Sequence, residues 1–67
     1  MFDVIALKAA MAEKGMGVMA LSVTAGVNYS ALVNILNSKT KPTLVTVGRL
    51  AKALNMNPRE LFKEEGA

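Results

Sequence analysis

The stretch VMALSVTAGVNYSALVNILN, residues 18–37, decides how this chain folds. It reads as two short helices, Val18 to Ala25 and Tyr29 to about Asn37, interrupted at Gly26. Two helices crossing at a tight turn need a small residue where they meet, a glycine in the turn, and apolar anchors on both sides. Ser22 is the small residue, and Gly26 supplies the left-handed backbone that ends the first helix. Leu21, Ala25, Val27, Leu32 and Ile35 are the anchors, and Asn28 is a good N-cap for the second helix. Each anchor alone is ordinary core chemistry. The joint spacing points to a helix-turn-helix unit, although a hairpin of helices inside any small bundle would meet the same requirement.

On the N-terminal side, Asp3 is placed to cap a first helix running to about Lys14. Val4, Leu7, Ala10 and Met11 recur at three- and four-residue spacing, as one buried stripe requires. Gly15 and Gly17 then break it. On the C-terminal side, Asn37-Ser38-Lys39-Thr40-Lys41-Pro42 is polar and ends in proline, so it reads as a loop. Thr43 caps a fourth helix to about Leu54, with Leu44, Val47, Leu50, Ala51 and Leu54 as its stripe. Asn57, Pro58 and Glu60 take N-cap, first-turn and N3 positions, a capping-box-like start to a last helix holding Leu61 and Phe62. The expected fold is all-α, a compact bundle of five short helices. It forms a single domain over residues 1–67, with the helix-turn-helix unit at about 18–37.

Composition agrees. The 67 residues are 52% hydrophobic with few aromatics, which favours helices packed on helices over a sheet sandwich. With no cysteine and no histidine, neither a disulfide framework nor a thiolate or imidazole metal site is available, and no cofactor is implied. No apolar run approaches the roughly 18 residues a membrane span needs, and no signal-peptide pattern opens the chain, so a cytoplasmic protein is expected. The net charge of +3 is unevenly spread: no carboxylate side chain lies between Lys14 and Arg59, while Lys39, Lys41, Arg49 and Lys52 do. Such a middle segment suits an anionic partner such as nucleic acid. It is equally met by a short chain whose few acids happen to sit at its ends.

From Lys14 to Phe62 the chain resembles the phage Cro and lambda-repressor-like helix-turn-helix (XRE) family without a gap. The likeness is carried by Ala25-Gly26-Val27, Lys39-Thr40-Lys41-Pro42-Thr43-Leu44, Leu50-Ala51-Lys52-Ala53-Leu54 and Glu60-Leu61-Phe62. The resemblance implies that the helix from Tyr29 lies in the DNA major groove, commonly in a homodimer on a two-fold symmetric operator. The family's base-reading positions fall on Asn28, Tyr29, Ser30, Val33 and Asn34. An Asn34 amide would bond adenine N6 and N7 together, and Val33 offers only apolar contact, for instance to a thymine methyl. Asn28 is as well suited to capping its helix as to reading a base. Phosphate contacts would come from Asn37, Lys39, Thr40, Lys41 and Thr43, just beyond that helix. Arg49, Lys52 and Arg59 read as ordinary helix-surface charges.

The chain departs from its family in ways that matter. Where members usually begin the second helix with a polar cap followed by glutamine, this sequence has Gly17 and Val18. A basic residue in helix one that the family often pairs with a glutamate near the end of helix three is here Met11, and its partner Leu36. Both charges are missing together, which is far less costly than losing one, and contact between Met11 and Leu36 is expected. Val18, Met19, Val23 and Val33 are apolar at positions near the surface that would face DNA. They imply either extra core burial or a protein interface. The leading expectation is a sequence-specific transcriptional regulator of phage or mobile-element type. The alternative is an antirepressor on the same fold that binds the repressor of its own locus through Val18, Met19, Val23 and Val33. An enzyme is not expected, because the carboxylates cluster at the chain ends beside no phosphate loop or metal-ligand pattern. The tail from Leu61 to Ala67 is a candidate dimer surface, with Phe62 equally suited to the core.

Overall fold

A computed structural model describes residues 1–64; the end of the tail proposed as a dimer surface, residues 65–67, lies outside the described residues. Four α-helices form: α1 Val4–Lys14, α2 Val18–Ala25, α3 Tyr29–Leu36 and α4 Leu44–Ala53. They start where side chains satisfy the free amides of a first turn. The Asp3 carboxylate accepts from the Ala6 N–H at 3.0 Å, the Asn28 Oδ1 from the Ala31 N–H at 3.2 Å, and the Thr43 Oγ1 from the Thr46 N–H at 3.2 Å. Only α2 lacks such a bond, since Gly17 at its N-cap has no side chain to offer.

All four helices end alike. A residue in the left-handed conformation follows each one, at Gly15, Gly26, Ser38 and Asn55. The next N–H reaches back to a carbonyl of the last turn: Met16 to Met11 at 2.9 Å, Val27 to Ser22 at 3.0 Å, Lys39 to Asn34 at 2.8 Å and Met56 to Ala51 at 2.9 Å. Glycine takes this conformation without steric penalty, whereas Ser38 takes it against the preference of an L-residue.

The helices close on one core. Leu7 of α1, Leu21 of α2, Leu32 of α3 and Leu50 of α4 are fully buried together with Leu54 and Leu61. Each such leucine contributes roughly 1.5–3 kcal/mol of burial, so this leucine cluster dominates what holds the short helices together. α2 packs on α3 and α4, while α1 packs on α3. Met11 and Leu36 are both buried in this core. Both positions are therefore apolar, and no charge needs compensation there.

Three expectations need correction. The last element is a single 3-10 turn, Pro58–Leu61, and not a fifth α-helix. Its capping box does form: Asn57 Oδ1 accepts from the Arg59 N–H at 2.9 Å and Glu60 Oε2 from the Asn57 N–H at 3.0 Å. The helix stops because the chain turns back to pair with the N-terminus. The Asp3 N–H donates to the Leu61 carbonyl at 2.7 Å and the Lys63 N–H to the Met1 carbonyl at 2.8 Å. Second, Phe62 is neither helical nor core. It is extended and 40% exposed, with its ring edge-on to Phe2 at 6.3 Å between centroids. Third, Leu44 is 81% exposed and does not join the stripe of α4, because it is the first residue of the helix and the core-facing line begins at Val47.

Candidate nucleic-acid interface

α3 divides its residues sharply between two faces. Leu32, Ile35 and Leu36 point into the core, while Tyr29, Ser30 and Asn37 are exposed and Val33 and Asn34 half-buried. Ser30, Val33, Asn34 and Asn37 recur at helical spacing, so they form one outward stripe with Tyr29 at its start. Of the five base-reading candidates, Asn28 is committed as the helix cap through its Oδ1. The others lie along the first two turns, where a helix end-on in a groove presents its side chains.

The phosphate candidates lie directly beyond. Lys39, Thr40, Lys41 and Thr43 are exposed. The loop is anchored at both ends: the Lys39 N–H is tied to the Asn34 carbonyl, and the Thr43 hydroxyl, besides capping α4, donates to Thr46 Oγ1 at 3.1 Å. Thr43 is thus occupied in the fold. Lys39 and Lys41 are exposed, within a stretch of sequence that holds no carboxylate side chain between Lys14 and Arg59.

Arg49 lies exposed on α4, as expected of a helix-surface charge, and in addition its Nη1 donates to the Gly26 carbonyl at 3.3 Å. Among the described residues this is the only side-chain hydrogen bond between residues more than three positions apart. It brings a cation from α4 to the C-terminal end of α2, where the helix dipole favours positive charge. The bond therefore ties α4 to the turn that sets α3 against α2. Nothing local in the sequence signals it, because the partner is a backbone carbonyl 23 residues away. Lys52 and Arg59 are exposed, as helix-surface charges would be.

The four apolar residues of the alternative interface do not behave alike. Val18 is half-buried and packs against the core, and Val33 is half-buried on α3. Met19 and Val23, one turn apart on α2, are 62% and 73% exposed. Among the described residues there is no cluster of three or more side chains able to hold a metal ion, and no helix is long and apolar enough to cross a membrane.

Comparison with known proteins adds two findings. Residues 6–65 match the family model of the Cro/C1-type HTH DNA-binding domain. The fold is similar to the crystal structure of the restriction-modification controller protein C.AhdI from Aeromonas hydrophila, with a TM-score of 0.83 and 29% identity. That likeness covers 88% of this chain and 89% of the controller protein. No curated protein sequence matches.

Proposed function

The chain belongs to the Cro/C1-type helix-turn-helix DNA-binding family, and on that premise we propose that it is a sequence-specific transcriptional regulator whose helix α3 enters the major groove of operator DNA. The observation that carries this reading is the outward stripe of α3 running into the lysine loop. Hydroxyl and amide groups line the face offered to base edges, and exposed lysines follow for the sugar-phosphate strand. Asn34 is the residue for direct readout, bidentate to adenine. Tyr29 and Ser30 reach a base edge or a phosphate, Val33 meets a thymine methyl, and Asn28 holds the helix start. Asn37, Lys39, Thr40 and Lys41 clamp the strand and set the register, while Thr43, its hydroxyl engaged with Thr46, holds the end of the loop in place. The likeness to a controller protein supports a regulatory role. We place the target near the protein's own promoter, in a phage or other mobile element, with residues 1–67 acting as one domain and a homodimer spanning two half-sites.

The test is a salt-titrated binding assay on duplexes tiling the DNA upstream of the protein's own gene. Binding to one duplex, weakening steeply as salt rises, supports the reading, because each neutralised phosphate releases counterions. Absence of binding to every duplex at low salt refutes it. One observation favours a second reading: Met19 and Val23 are exposed and adjacent on α2. An antirepressor of this fold would present that pair to the repressor of its locus. It would bind no local DNA while forming a stable complex that Val23→Lys abolishes.

A further inference from the structure

Between the paired chain ends and the loop after α3 lies a groove of about 310 Å³. One wall is formed by Phe2 and Ile5 together with Lys63, the other by Thr40, Lys41 and Pro42 of the loop. Backbone bonds pin both walls. On one side the Lys63 N–H donates to the Met1 carbonyl at 2.8 Å and the Asp3 N–H to the Leu61 carbonyl at 2.7 Å. On the other the Lys39 N–H donates to the Asn34 carbonyl at 2.8 Å. The groove therefore stands ready before a ligand arrives, which lowers the cost of binding. Its surface is mostly apolar, yet each wall carries one exposed lysine. Among the described residues no carboxylate lines it. Asp3 commits its carboxylate to the Ala6 N–H, and Glu64, next to Lys63 in sequence, lies outside the groove.

We propose that this groove binds a small organic carboxylate with an apolar body, seated against Phe2, Ile5 and Pro42 with its charged end between Lys41 and Lys63. Three observations select that class. Ile5 is 74% exposed in the groove, so an apolar body gains by covering it. A cation on each wall, with no acid between them, is complementary to an anion. The volume sits at the lower end of small-molecule sites and is far too short for a protein face, which buries on the order of 800 Å² per partner. A sugar-phosphate strand would match the lysines but leave Phe2, Ile5 and Pro42 without an apolar partner. Occupancy also has a consequence for the loop. Lys41 serves both the carboxylate and the strand clamp, so ligand and DNA compete for it; this consequence rests on the DNA-binding reading above, whereas the site itself does not.

The experiment is an NMR titration of the full chain, without DNA, with octanoate, octanol and acetate. Octanoate should saturate, with shift changes at Phe2, Ile5, Lys41 and Lys63. Octanol, which lacks the charge, should bind roughly tenfold more weakly, and acetate, which lacks the apolar body, should not saturate. Lys41→Gln and Lys63→Gln should each weaken octanoate about threefold. Ile5→Glu should abolish binding with the Tm unchanged, because Ile5 is exposed. Lys52→Gln, outside the groove, should bind as the wild type does. The proposal is overturned by octanoate that does not saturate or shifts residues elsewhere, by octanol binding as tightly, or by any of the three groove variants binding like the wild type. A second titration, of the upstream duplex with octanoate present, should show loss of DNA affinity; affinity indifferent to octanoate refutes the shared use of Lys41. Octanoate bound as described while no duplex binds keeps the site and refutes the regulator, and DNA binding without octanoate binding does the reverse.

Discussion

Helices α2 and α3 are each eight residues long and meet at Gly26, yet their outer surfaces differ in kind. Inside, they are equivalent: Leu21 and Ser22 on one, Leu32, Ile35 and Leu36 on the other, all sunk in the same core. Outside, α2 shows Met19, Ala20, Val23 and Thr24, and begins at a glycine with no side-chain cap. α3 shows Tyr29 and Ser30 with half-buried Asn34 beyond them, is followed by exposed Asn37, and begins at a capping asparagine. The inner faces place both helices, and only the outer chemistry assigns them roles. α2 is the bracket, fastened through its C-terminal turn to Arg49, and α3 is the element with groups able to read a base.

The strongest way to break that comparison is through the shared interior. Leu21→Ala and Leu32→Ala each remove a fully buried side chain and should each lower unfolding free energy by roughly 3 kcal/mol in urea titrations. A marginally stable domain tolerates little more than that. A loss well below 1 kcal/mol for either would show that the two helices are not held alike. The next effect separates the outer faces. Asn34→Ala should weaken operator binding by about 1–3 kcal/mol and relax preference at one base pair, while Val23→Ser leaves affinity unchanged in gel-shift titrations.

A smaller effect tests the fastening. Arg49→Ala should reduce stability by about 1 kcal/mol and weaken DNA binding with the salt slope intact, since the guanidinium bonds a carbonyl of its own chain. Lys41→Ala should instead lower the slope of log affinity against log salt by about one, as loss of a phosphate contact does. The smallest effect is a gain. Ser38 closes α3 at φ 59°, where glycine closes α1 and α2, and Ser38→Gly should raise stability by about 0.5–1 kcal/mol in thermal unfolding.

The helices were legible in sequence because their ends are written in local chemistry. Asp3, Asn28 and Thr43 cap the helices they were expected to cap, and Gly15 and Gly26 end the first two. What escaped was tertiary. The spacing that admits Leu44 to the stripe of α4 says nothing of where that helix first meets the core. Phe62 follows a well-formed capping box, but pairing between the two chain ends takes precedence over helix continuation. The bond from Arg49 to the Gly26 carbonyl has no sequence signature at all. At the candidate interface, residue types and spacing mark the outward stripe of α3. Burial alone separates Val18, which packs inward, from Met19 and Val23, which do not.

The most direct test of the difference between α2 and α3 is an amide-resolved NMR titration of the whole chain with a duplex from its own upstream DNA. The account predicts that chemical-shift changes concentrate from Asn28 to Asn34 and from Asn37 to Thr43, with the backbone at Met19 and Val23 little affected. Changes centred on Met19 and Val23, with α3 and its loop unmoved, would contradict it.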